Sequence, residues 1–216
     1  MTAFQLRVGD RAPVQHTATT CGAASLTVAR LLADPGFARW MDSGVSVGSV
    51  GRAFLPELAT PDQRFAAAEE LTIRRTNRLV GPGRGVQLPW PRALGTPPWG
   101  ARRELEHGGS LPGTSYDVVW CRGAAARRHV AERLRRQLSP GRPAALYLGD
   151  RWLPRHVILA VSPGTAAPGG PVGLYDPAGG VVTAFDVERF VTGRLGIAGW
   201  DVAWCAVLPR AGSSPP

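Results

Sequence analysis

Apolar positions recur at helical spacing early in the chain and in short strand-like runs later. Residues 21–34 place Leu26, Ala29 and Ala33, together with Val28, Leu31 and Leu32, on a wide apolar face, which predicts a helix. Thr19 and Thr20 stand where its caps belong, and Asp34-Pro35-Gly36 ends it. A second short helix is expected around 36–42, and 44–51 reads as a loop of small residues. Residues 61–78 read as a helix with Phe65, Ala68, Leu71 and Thr72 on one face, and 101–107 as a short helix. The stretch 81–100, with Gly81-Pro-Gly-Arg-Gly, Leu88-Pro-Trp90-Pro and Gly95-Thr-Pro-Pro-Trp99-Gly, cannot hold regular structure. A loop this long either lines a substrate cleft or packs over the core.

Six apolar runs bounded by Gly, Pro or Asp predict strands at 116–121, 144–148, 156–161, 172–176, 181–184 and 201–208. Between the first two lies an Arg-rich helix, about 124–138, with Val130, Leu134 and Leu138 on one face. Helices first and strands later predict an α+β fold, with a helical lobe packed on an antiparallel sheet lobe. Residues 1–208 are expected to form one domain, its helical lobe about 1–110 and its sheet lobe about 111–208, with 209–216 a disordered tail.

Composition narrows the function classes. The formal net charge is +9, and the 25 basic residues are all Arg. A GC-rich genome accounts for that usage, and arginines on the outer face of an amphipathic helix are ordinarily solvated. Zinc-finger spacing and aromatic-basic ribonucleoprotein motifs are missing from the chain, so an Arg-rich binder of nucleic acid or of an acidic partner is the least supported reading. No run of about 18 apolar residues is present, so no membrane helix is expected. The N-terminus has no apolar core of a secretory signal, so the cytoplasm is the default compartment. Cys21, Cys121 and Cys205 are too few and too scattered for a disulfide framework. No group of Cys, His and carboxylates has metal-ligand spacing, and Gly81–Gly85 lacks the Lys and helix of a phosphate loop, so no cofactor is expected.

One constellation carries chemistry. Cys21 starts the first predicted helix, where unpaired amides and the helix dipole favour a thiolate. Gly22 would let a substrate backbone approach. His156 opens an apolar strand, and Asp176 closes the next, so antiparallel pairing would bring the two side chains together. A thiol needs such a histidine as base and acid, and the histidine needs an acid to orient it. The Cys21 amide and the side chain of Gln15, six residues upstream, would supply oxyanion donors. Cys121 and Cys205 follow tryptophans in apolar strands and read as buried thiols; His16 reads as a surface residue, and His107 and His129 lack partners.

Gln15-x5-Cys21-Gly-Ala-Ala-Ser-Leu, a histidine leading an apolar strand, and Asp176-Pro177 together resemble the papain-like peptidases that cleave double-glycine leader peptides from bacteriocin precursors. The resemblance covers about 15–34 and 144–185. It implies a papain-like fold, a Cys21–His156–Asp176 triad and Gln15 in the oxyanion hole, acting on a peptide or protein substrate. Thr20 stands where the family has an acidic residue, and the middle of the chain, roughly 40–120, does not resemble the family. The chemistry expected is therefore that of a cysteine peptidase or a related thiol amidase or acyltransferase. The alternative is a module that keeps the fold without turnover.

Overall fold

The computed structural model describes residues 4–45, 60–162 and 171–212. The first helix, α1 (Cys21–Ala33), is buried at every position from Cys21 to Ala29 and again at Leu31. Gly22, Ala23, Ala24 and Ser25 carry little side chain, so the helix lies close against its neighbours. Its buried hydroxyls are satisfied: Ser25 Oγ donates to the Val157 carbonyl at 3.1 Å, and Thr27 Oγ1 to the Ala23 carbonyl at 2.9 Å. Asp34 ends α1 and caps α2 (Pro35–Ser43) by accepting from the Phe37 amide at 3.0 Å. A reciprocal capping box of Thr60 and Gln63 starts α3 (Pro61–Asn77). The expected face of α3 points inward, with Phe65, Ala68 and Thr72 buried and Leu71 half-buried.

Six strands form one sheet: β1 (Tyr116–Trp120), β2 (Ala144–Gly149), β3 (Pro154–Val161), β4 (Gly173–Asp176), β5 (Val181–Ala184) and β6 (Val202–Pro209). Their order is β1-β6-β2-β3-β4-β5, and every neighbouring pair is antiparallel. The sheet is covered on both faces. Ala145, Tyr147, Val157, Leu159 and Tyr175 pack with α1, α2, α3 and α4 (Pro98–Glu104). Leu146, Leu148, Ile158, Ala160 and Leu174 pack with α5 (Ala124–Gln137) and α6 (Val187–Thr192). Double burial explains why the central strands read as continuous apolar runs instead of alternating ones. The architecture is thus α+β as expected, with the Cys21 helix packed on an antiparallel sheet that carries His156 and Asp176.

Several details differ from the sequence reading. The short helix expected at 101–107 starts earlier, as α4, and gives way to a π-helical turn over Leu105–Gly109. Helix α6 was not anticipated, because six residues carry too little periodicity; Asp186 caps it through the Arg189 amide at 3.0 Å, and Gly193 ends it in a left-handed conformation. The chain stays ordered past 208: Pro209 belongs to β6, and the Arg210 amide donates to the Ser115 carbonyl at 2.8 Å. Residues 46–51 of the expected loop, 163–170 of the β3–β4 connection and 213–216 of the expected tail lie outside the described residues.

The irregular segment 78–97 is held by side chains bonding to backbone. Asn77 Nδ2 donates to the carbonyls of Trp90 (3.2 Å) and Gly95 (2.7 Å). Gln87 Nε2 lies within 2.8–3.0 Å of the carbonyls of Arg75, Thr76 and Arg78. Trp90 and Trp99 meet edge-to-face at 5.2 Å. Such bonds satisfy the groups that a helix or strand would otherwise pair. At the end of this segment α4 crosses α3 so closely that a Cβ on Gly100 would stand 2.3 Å from the Thr76 carbonyl oxygen. In an open helix Gly→Ala gains about 1 kcal/mol. Here the sign reverses: Gly100→Ala is expected to destabilise by about 1–3 kcal/mol through overpacking, read as a lower urea midpoint. A raised midpoint would show that α4 does not press on α3.

Candidate active site

The segment before α1 runs along the β4–β5 hairpin. The amides of Gly9, Ala12 and Gln15 donate to the carbonyls of Val182, Gly180 and Pro177 at 2.8–3.0 Å. This pairing sets Gln15 beside the turn that follows Asp176. Residues 17–20 then form a tight turn. The Thr20 amide and hydroxyl both approach the Thr17 carbonyl, at 3.2 and 2.9 Å, and the Thr17 amide donates to the Thr20 hydroxyl at 3.1 Å. The Thr20 hydroxyl is therefore engaged behind the helix. It does not cap α1, contrary to expectation, and the first-turn amides beginning with Cys21 have no side-chain cap from it.

His156 stands near the start of β3 and Asp176 at the end of the adjacent antiparallel β4. Their side chains meet, with Nε2 of His156 2.7 Å from Oδ1 of Asp176. The same oxygen accepts from the Ala178 amide at 3.0 Å, which fixes the carboxylate in the turn. With Nε2 on Asp176, Nδ1 is the ring nitrogen left for Cys21, whose side chain is the next influence on the imidazole after that acid. Thiol and imidazole are both buried, each residue 6% exposed.

Burial is the largest influence on His156 and pushes its pKa down, but the hydrogen bond to Asp176, then the hydrogen bond and charge of Cys21, overcome it and raise the pKa to about 9. Burial likewise pushes Asp176 up; its hydrogen bonds with His156 and the Ala178 and Gly179 amides hold it below the usual carboxylate range. The imidazole thus keeps its proton through neutrality beside an ionised acid. Burial lifts the Cys121 thiol to about 12 and Cys205 higher still. Among the described residues, no group of three or more His, Cys, Asp or Glu could hold a metal ion.

Gln15 Nε2 donates to the Thr17 carbonyl at 2.8 Å, leaving the second hydrogen of that amide for another acceptor. Its Oε1 is buried without a partner among the described residues. The space above Gly22 is not open to substrate. Thr96 fills it, and a Cβ on Gly22 would stand 2.6 Å from Thr96 Cβ. Tyr147 anchors this contact by donating its hydroxyl to the Thr96 carbonyl at 3.1 Å. The Trp-rich loop therefore packs over the core and also borders the start of α1.

Glu69 on α3 was missed by the sequence reading. It is 1% exposed, and its two carboxylate oxygens lie 3.1 and 3.3 Å from the His16 amide. The Thr20 hydroxyl lies close by, with its own proton on the Thr17 carbonyl. The available signal was its place at four residues from Phe65 and three from Thr72, on the apolar face. His16 is exposed, as expected, and His107 and His129 are exposed too.

No family model matches the chain, and no curated protein matches it. Among solved structures, the Pseudomonas avirulence protein AvrPphB is similar at 13% identity and a TM-score of 0.46, over 94% of this chain and 96% of that one. The bromelain protease from Ananas comosus, solved with an inhibitor, gives 13% identity and a TM-score of 0.30, over 94% of each chain. The fold is α+β. A helix with a thiol at its N-terminus lies on an antiparallel sheet carrying a histidine and an acid.

An NMR titration checks the electrostatics. The His156 ring is expected to titrate near pH 9, and its midpoint to fall in Asp176→Asn and in Cys21→Ser, because each removes an influence that raises it. Since the folded pKa lies above the ordinary 6.5, the stability that His156 contributes is complete below about 6.5 and is lost as pH rises through about 9. An unchanged midpoint in both variants would show that neither group engages the ring.

Proposed function

We propose that the protein is a papain-like cysteine peptidase, or a related thiol amidase or acyltransferase, acting on a peptide amide. The observation that carries the reading is the buried Cys21–His156–Asp176 array, in which a 2.7 Å bond to an ionised acid keeps the imidazole protonated while its other nitrogen faces the thiol at the start of α1. Cys21 Sγ attacks the carbonyl carbon, and the carbonyl π pair moves to oxygen. The Cys21 amide and Gln15 Nε2 receive that oxyanion. As the C–N bond breaks, His156 gives its proton to the leaving nitrogen, and an acyl thioester remains. Water, or an amine in the acyltransferase case, then attacks the thioester; the neutral imidazole takes its proton, and the C–S bond breaks to return Cys21 as the thiolate. Asp176 orients the ring and stays ionised throughout.

A second reading, a papain-like binding module without turnover, is favoured by the 6% exposure of Cys21 and by Thr96 seated on Gly22. Alkylation separates the two. At about pH 6, where ordinary thiols are protonated, iodoacetamide is expected to label Cys21 ahead of Cys121 and Cys205, and His156→Ala to slow that labelling about tenfold or more. Labelling of Cys21 no faster than that of free cysteine, unchanged by His156→Ala, would leave the binding module standing and remove the enzyme.

A further inference from the structure

The carboxylate of Glu69 has no role in the triad, yet it is among the most deeply buried charged groups of the chain, at 1% exposure. It accepts from a backbone amide, with a hydroxyl close by, and not from an arginine, although the chain holds 25. The adjacent Glu70, by contrast, lies at the surface and pairs with Arg74 and Arg92. Burial is the first influence on Glu69 and pushes its pKa up, and the Thr20 hydroxyl and the His16 amide oppose it. A group that is costly to bury in this way has to be explained by what it holds.

It holds the backbone at the start of one short stretch of chain. The His16 amide, at 3.1 and 3.3 Å, adjoins Gln15, and the Thr20 hydroxyl adjoins Cys21. Gln15 and Cys21 are the residues whose N–H groups face the oxyanion in the mechanism above. A buried carboxylate that accepts from the His16 amide thus fixes the backbone beside Gln15. Independent bonds fix the rest of the loop from the sheet side: the Gln15 amide donates to the Pro177 carbonyl at 2.8 Å, and the Tyr175 hydroxyl donates to the Pro13 carbonyl. From the other side α3 supports the stretch through Glu69. We infer that Glu69 is a positioning residue of the oxyanion site, a clamp on the backbone at residue 16 that holds the Gln15 side chain in register with the Cys21 amide. This rests on the proposed thiol chemistry.

Two reactions of the same thiol test it. Iodoacetamide alkylation displaces iodide at a saturated carbon and forms no oxyanion. Acylation by p-nitrophenyl acetate passes through one: sulfur bonds to the carbonyl carbon, the oxyanion forms, and its collapse expels p-nitrophenolate. Glu69→Ala is expected to slow acylation about 10- to 100-fold and to leave alkylation within about twofold. Glu69→Gln, which keeps an oxygen for the His16 amide, is expected to restore acylation to within about threefold. Gln15→Ala is expected to mimic Glu69→Ala, and the double variant to be no slower than the slower single one. Equal loss of both reactions in Glu69→Ala, or loss of neither, overturns the clamp while leaving the enzyme reading intact. A wild-type Cys21 inert to both reagents removes the enzyme reading itself and the clamp with it. Should Glu69→Ala fail to fold, Glu69→Leu, which keeps the side-chain volume and removes the acceptor, is read by the same ratio of rates.

Discussion

The site depends on a helix that is buried on nearly every side. α1 touches the sheet through small residues, and Ser25 fastens it to the backbone of β3 one residue beyond His156, at the Val157 carbonyl. That contact fixes the distance between the N-terminus of α1 and the start of β3, and hence between thiol and imidazole. A larger residue in the run Gly22–Ser25 would hold the helix off the strand. The low side-chain volume of this run is therefore a geometric requirement of the chemistry as well as a packing choice.

Burying a helix start has a consequence for its amides. Ordinarily a Ser, Thr, Asp or Asn side chain would cap them. Here the Thr20 hydroxyl is turned back into the 17–20 turn and toward Glu69, so the donors at Cys21 lack that cap. Loss of a cap typically costs a helix about 1 kcal/mol. The burial of α1 offsets that cost, since each fully buried Leu or Val contributes about 1.5–3 kcal/mol. A well-capped α1 would be the more stable local structure and would leave fewer amides free for the proposed oxyanion.

How much of this could be read from the chain follows the range of each interaction. Leu26 and Leu31 on one helix, and the unbroken apolar run from Val157 to Val161, are local patterns, and their elements formed where expected. The meeting of His156 with Asp176 was legible because antiparallel neighbours place the start of one strand beside the end of the next. Glu69 and Thr96 were not legible, because each acts across the fold on a residue far away in sequence. In Ala68-Glu69-Glu70 nothing but helical phase tells which acid is inside. The Trp-rich segment failed differently: its order comes from Asn77 and Gln87 bonding to backbone carbonyls, which no periodicity records.

The two carboxylates near the thiol divide the work by environment. Asp176 receives a ring N–H and two turn amides, so its charged form is favoured despite burial, and it in turn raises the imidazole to about 9. Glu69 receives fewer donors in a drier place, and its charged form is disfavoured. An acid held ionised can sustain an imidazolium; an acid poised closer to neutrality is suited to holding a backbone in place without adding a full charge beside the nucleophile. The loop of residues 15–20 lies between them, tied to the sheet near Asp176 through Gln15 and to α3 through Glu69. Cys21 begins where that loop ends, so the geometry around the thiol is set by the tension between two acids on opposite sides of one short turn.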